Sequence, residues 1–100
     1  MFQIGAGPAG EIQMAGRLDG TQCDVALKFL SGIPEPRVID LARLEYIASA
    51  GLRVFLLTQK RLKTGGGDAG LKLINVTPPV YDIFHYAGFD QILDICRAAG

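Results

Sequence analysis

The sequence predicts an α/β fold: a mixed sheet of about five strands, with the first hairpin antiparallel and the remaining strands parallel. Three main helices and room for a short C-terminal one complete it. Three observations lead there. The chain has 100 residues, 49% of them hydrophobic and 20% charged, which suits one core and one domain over residues 1–100. An apolar–polar alternation directly follows the glycine-rich opening. Three stretches of helical periodicity then alternate with short apolar runs, the pattern of successive β–α–β crossovers.

The opening "IGAGPAG", Ile4 to Gly10, fits G-x-G-x-x-G. A dinucleotide fingerprint needs a helix directly after its glycines, because the helix N-terminus holds the pyrophosphate. Here Ile12, Met14 and Leu18 alternate with Glu11, Gln13 and Arg17, a period of two that marks a strand. The glycines and Pro8 therefore read as a hairpin turn between strands near 1–5 and 11–17. No flavin, nicotinamide or other cofactor is expected.

Asp19-Gly20 ends the second strand. Cys23, Ala26, Leu27 and Leu30 lie at i, i+3, i+4 and i+7, giving the first helix one apolar face. Thr21 with Asp24 reads as its capping pair and Gly32 as its stop. Pro34 and Pro36 keep the linker out of helix. "RVIDL" at 37–41 reads as a buried strand. A second helix is expected from Ser49 to about Lys63, stopped by Gly65-Gly66-Gly67. Its core face would be Leu52, Phe55, Leu56 and Leu62, with Arg53, Lys60, Arg61 and Lys63 solvated and Val54 and Leu57 adding apolar surface elsewhere. "LKLI" at 71–74 is a strand. Thr77 and Pro78 open a third helix whose Val80, Ile83, Phe84 and Ala87 face inward before Gly88. "QILDI" at 91–95 is the last strand.

Net charge is zero and the isoelectric point is about 6.5, so no electrostatic footprint for nucleic acid or an anionic membrane surface is present. No apolar stretch reaches the ~20 residues that span a bilayer, so no membrane insertion is expected. No basic segment followed by an apolar run marks a signal peptide. Cys23 and Cys96 fit no metal-ligand spacing and read as two buried thiols in a reducing compartment. The expectation is a soluble cytoplasmic chain. His85, the one histidine, has no second ligand or base nearby in sequence and reads as a partly exposed side chain, so no metal site is expected. Asp90 and Asp94 read as turn-shaping and solvating residues. No catalytic triad or carboxylate pair can be assembled, and the expectation is a chain that is not an enzyme.

Ser49 carries the chemistry. It stands where a loop enters the second helix and is followed by the small Ala50 and Gly51. The plainer reading is an N-cap hydroxyl. The functional reading is a phosphoacceptor, whose phosphate would sit at the positive end of a helix dipole and add roughly −1.5 to −2 charges.

The segments "GRLDG" at 16–20, "VIDLARLEYIASAGLRVFL" at 38–56 and "LKLINVTPPVYDIFHYAGFDQILDI" at 71–95 resemble the STAS domain. That family includes the bacterial anti-sigma factor antagonists and the tails of sulphate transporters. The resemblance runs in order from about residue 11 to 95 and implies the same topology. In the antagonists the helix start typically reads D-S-[ST]-G-L, and its first serine is phosphorylated by a partner kinase. Ser49 matches that serine, with Gly51 and Leu52 in register. Asp19 matches the aspartate of the family's G-x-L-D segment, near the phosphorylated serine; capping or shaping the Asp19-Gly20 turn is compatible with that place. Asp40 is expected to end its strand and tie backbone N–H groups. Two positions depart from the pattern: Ala48 replaces the usual aspartate, removing a negative charge beside the acceptor, and Ala50 replaces a Ser or Thr.

The resemblance implies a phospho-switch at Ser49, with Asp19, Gly20, Ala48, Ala50, Gly51, Leu52 and Arg53 forming the phosphosite surroundings and partner contact. The expected partners are an anti-sigma factor or related serine kinase, with a serine phosphatase as a further candidate. The kinase would bring ATP, so no cofactor is implied. The alternative is a non-switching subunit docked on the ATPase of a bacterial lipid-transport system. Ser49 favours the first reading and Ala48 the second.

Overall fold

A computed structural model of the chain describes residues 2–32, 38–64 and 70–98. Strands β1 (Phe2–Ala6) and β2 (Ile12–Leu18) lead to helix α1 (Cys23–Ser31). Strand β3 (Val38–Ile47) and helix α2 (Ser49–Thr64) follow, then β4 (Lys72–Val76), α3 (Pro78–Tyr86), a 3-10 turn at Phe89–Gln91, and β5 (Asp94–Arg97). The five strands form one sheet in the order β1-β2-β3-β4-β5. β1 and β2 are antiparallel, and every other neighbouring pair is parallel. This is the expected topology. The linker prolines Pro34 and Pro36 and the glycine stop at 65–67 lie outside the described residues.

The glycine-rich opening is a hairpin. Gly7 N–H donates to the Glu11 carbonyl (2.6 Å) and Gly10 N–H to the Gly7 carbonyl (3.2 Å). Gly10 adopts φ +86°, a left-handed conformation that glycine enters without steric cost. A strand follows, so no helix N-terminus stands at these glycines.

A sheet whose parallel strands are added in sequence order, each by a right-handed crossover, collects its helices on one face. The burial pattern agrees. Ile12, Met14, Leu18, Ile39, Leu41, Leu44, Ile47, Leu73 and Val76 are buried beneath the helices. Gln13, Arg17, Arg43, Lys72 and Asp94 are exposed. Phe55 of α2 and Phe84 of α3 meet edge to face at 5.4 Å between ring centroids, which ties the helical layer together.

Several boundaries and faces differ from the sequence-based expectation. β3 continues to Ile47 instead of ending at 41. Its pairing with β2 shifts register twice, between Gln13/Ala15 and between Gly16/Arg17. Each shift places an extra residue in β3, so Leu41, Leu44 and Ile47 are buried three apart rather than two. Bulges of this kind erase the alternation that marks a strand in sequence. Asp40 therefore lies within the strand, where its Oδ1 accepts the Ala42 N–H (2.9 Å) beside the first bulge. The N–H tie is as expected; the strand was expected to end at Asp40 and instead runs on to Ile47.

The buried face of α2 comprises Gly51, Val54, Phe55, Thr58 and Gln59, while Leu52, Leu56 and Leu62 are half-buried at its margins and Leu57 is exposed. Two polar residues disguised this face, and both are satisfied. Thr58 Oγ1 donates to the Val54 carbonyl (2.8 Å). The Gln59 amide accepts from Leu71 N–H (2.6 Å) and donates to the Ile92 carbonyl (3.2 Å), so its burial carries no unpaired group. On α3, Val80 and Phe84 are buried, Ile83 is half-buried and Ala87 is exposed. Thr77 stands at the N-cap of α3 with Pro78 following, but its side chain makes no capping bond. β4 and β5 begin and end one to three residues later than expected. No helix follows β5 among the described residues; the extra helical turn lies ahead of it. No described helix is long and apolar enough to cross a membrane.

Candidate functional site

The site forms where β2 and β3 leave the sheet side by side. Leu18 pairs with Ile47, and the Ala48 N–H donates to the Leu18 carbonyl at 2.9 Å. One backbone bond thus fixes Asp19, which follows Leu18, beside Ala48 and Ser49. Both chains then turn into helices.

At the β2 exit, Asp19 is occupied with its own turn. Its Oδ1 accepts the Thr21 hydroxyl (2.7 Å) and the Thr21 N–H (3.0 Å). The Thr21 hydroxyl bond in particular holds the Asp19 carboxyl below the usual carboxylate range; partial desolvation opposes it, and N–H groups of Thr21 and Gln22 add to the lowering. The expected Thr21–Asp24 cap is replaced by this arrangement. Gln22 occupies the N-cap position of α1 without a side-chain bond, and the Asp19 carboxylate serves Thr21, in the turn ahead of the helix. The Cys23 thiol donates to the Asp19 carbonyl (3.0 Å). Burial pushes that thiol up, and the carboxylates of Asp19 and Asp24 push it further, so it stays protonated at neutral pH. Cys23 is buried and Cys96 only partly so.

At the β3 exit the polar side chain is left open. The Ala48 carbonyl accepts the Leu52 N–H (3.1 Å), which makes Ala48 the N-cap and Ser49 the first residue inside α2. The capping reading of Ser49 therefore fails. A residue at the first helical position cannot offer its oxygen to N–H groups two and three residues ahead as a cap does. Ser49 and Ala50 are exposed and Ala48 is half-buried. No hydrogen bond of the Ser49 hydroxyl occurs among the described residues. α2 has no acidic residue in its first turn.

Gly51 makes the junction possible. It is buried, and a Cβ there would lie 2.9 Å from Ile47 Cγ2 and 3.0 Å from both Leu18 Cγ and the Leu18 carbonyl oxygen. Only glycine lets α2 start this close to the paired strand ends. Leu52 packs against the core, Arg53 points away from it and is exposed, and Gly20 is exposed on the neighbouring turn.

Sequence reasoning missed one neighbour of this junction. The Arg17 guanidinium lies 4.6 Å over the Tyr46 ring, on the open sheet face just before the two exits. The pair depends on the Arg17–Tyr46 register that the second bulge creates, so no local sequence signal announces it. His85 lies elsewhere, exposed on α3, with Nδ1 2.8 Å from Asp90 Oδ2 and its ring stacked on Tyr81. Among the described residues no group of three or more His, Cys, Asp or Glu could hold a metal.

The family model described as "Mlab, STAS domain" matches residues 5–94. The chain belongs to the STAS domain family. This STAS domain is 43% identical over 61 residues to a Bordetella bronchiseptica protein, BtrV, that bears the name of an anti-sigma factor antagonist. That match covers 61% of this chain and 51% of the relative, so the aligned region spans about half of the relative's length. Among solved structures, the unphosphorylated form of the anti-sigma factor antagonist SpoIIAA superposes with a TM-score of 0.68 at 20% identity, covering 95% of this chain and 87% of that one. It shares the fold: a five-stranded mixed sheet with three helices.

Proposed function

We propose that this STAS domain is a phospho-switch binding module of the anti-sigma factor antagonist type. With Ser49 unmodified it binds an anti-sigma factor or related serine kinase, freeing the client that the partner held. The kinase then transfers the γ-phosphoryl group of ATP to Ser49 Oγ, ADP leaves, and the new charge ends the binding. The observation that carries this reading is the state of Ser49: exposed, outside the cap, and with no hydrogen bond among the described residues. A hydroxyl in that state is sterically and chemically available to a kinase. The names carried by BtrV and SpoIIAA support the same reading. A serine phosphatase would reset the switch.

The test is titration of Ser49→Ala and Ser49→Asp against the cognate kinase, alongside their melting curves. The Ala form should bind constitutively and resist phosphorylation. The Asp form should fold as well, since a carboxylate suits a helix N-terminus. It should bind roughly tenfold to a hundredfold more weakly, because an unpaired charge is desolvated in the contact. Equal affinity of the two folded forms would reject the switch.

Two observations favour a second reading: the description of the matching family model and Ala48 in place of the family's aspartate. On that reading the domain docks without switching on the ATPase of a bacterial lipid-transport system. Binding of such an ATPase that is indifferent to Ser49→Asp would establish it over the first.

A further inference from the structure

Ser49 and Arg53 stand at i and i+4 of α2, the spacing at which helical side chains lie one above the other on the same face. Both are exposed. Arg53 makes no hydrogen bond, ion pair or ring contact among the described residues. The other nearby cations are engaged: Arg17 lies over Tyr46, and Arg61, two turns further along α2, donates to the Leu30 carbonyl (2.8 Å). The residues flanking Ser49 are Ala48 and Ala50, which bring neither competing charge nor bulk. Of the carboxylates on adjoining elements, Asp19 is held by Thr21, Asp24 is exposed on α1, Asp40 on β3 accepts the Ala42 N–H, and Glu45 is exposed on β3.

We infer that Arg53 is the internal counter-ion of a phosphate on Ser49, a guanidinium–phosphate pair closed across one turn of α2. The inference rests on the reading of Ser49 as the phosphoacceptor and adds how the phosphorylated state is held. An anion followed four residues later by a cation is the favourable order along a helix. A guanidinium presents paired N–H donors that match phosphate oxygens. The pair staples the first turn of α2 and neutralises part of the added charge. The loss of the neighbouring aspartate at Ala48 acts in the same direction, because no carboxylate there competes for Arg53.

The test uses the full chain with phosphoserine installed at position 49 during synthesis, so no kinase is needed. Phosphorus NMR titration reads the second phosphate pKa, ordinarily about 6. Asp19, Glu45 and Arg17 are common to every variant, so differences isolate Arg53. In Arg53→Gln the pKa should rise by roughly 0.15–0.4 unit, from the loss of an i,i+4 pair. Arg53→Lys should recover most of the difference. Phosphorylation should also raise the melting temperature more in the wild type than in Arg53→Gln. The same pKa and the same melting increment in the wild type and Arg53→Gln would overturn the pairing. That failure is distinct from failure of the switch, which is read by partner titration and not by the phosphate's ionisation.

Discussion

The two strand exits at the site resemble each other in sequence and differ in chemistry. Each passes from a buried aliphatic residue, Leu18 or Ile47, into a helix, through the turn at Asp19–Gln22 in the first case and through Ala48 alone in the second. At the β2 exit the carboxylate is turned inward on its own backbone and satisfies two donors of Thr21. At the β3 exit Ala48 holds the N-cap position and its carbonyl accepts the first helical hydrogen bond, from Leu52 N–H, while the hydroxyl of Ser49 makes no hydrogen bond among the described residues. Asp19 is thus a residue that the fold uses, whereas Ser49 is exposed and makes no such bond among the described residues. The Ala48–Leu18 hydrogen bond keeps the two within one surface patch.

The largest test of this contrast is at the contact that both exits share. Gly51→Val should destabilise the domain by about 1–3 kcal/mol in chemical denaturation, because the new atoms meet Ile47 and the Leu18 backbone, which cannot rotate away. The exposed neighbour is the control: Ala50→Val should change stability by no more than about 0.5 kcal/mol. Similar losses at 50 and 51 would mean that the helix does not start against the strand ends as described.

A smaller effect should separate the roles of the two polar side chains. Asp19→Ala should melt below the wild type at neutral pH, because the Thr21 donors lose their acceptor. The folded Asp19 carboxyl ionises below its ordinary range. Its contribution is therefore fully present above the unfolded-state value and is lost as pH falls through the folded value. The gap between wild type and Asp19→Ala should narrow on acidification to about pH 3. Asp19→Asn keeps an acceptor oxygen but no charge, so it should fall between the two at neutral pH. A gap that is constant with pH would show that the charge of Asp19 adds nothing to its turn.

Smallest of all should be the effect of Ser49→Ala on stability, within about 0.5 kcal/mol of the wild type by thermal melting. A cap of the kind the sequence alone suggested would cost about 1 kcal/mol or more on removal. A loss of that size would show that the Ser49 hydroxyl serves the fold after all, and the contrast between the exits would disappear.

Order and type of the elements were determined by the sequence itself. The alternation of Ile12, Met14 and Leu18 was enough to turn a dinucleotide-like glycine motif into a hairpin, because side-chain period is a local property of the backbone. Helix starts, that of the second helix at Ser49 among them, were legible for the same reason, whereas the strand that leads into Ser49 was read as a loop. The resemblance of "IASAGL" to the family's helix start then named the serine. Tertiary structure decided the rest. The true length of β3 depends on bulges, which exist only relative to the partner strand β2. The buried face of α2 includes Thr58 and Gln59 because acceptors and donors on Val54, Leu71 and Ile92 satisfy them. No local pattern reveals those partners. The cap of α2 fell to Ala48 rather than Ser49 because the Leu18 carbonyl fixes the Ala48 backbone from across the sheet. A hydroxyl's freedom to react is set by which bonds its neighbours already make, and those neighbours are assembled only when the chain has folded.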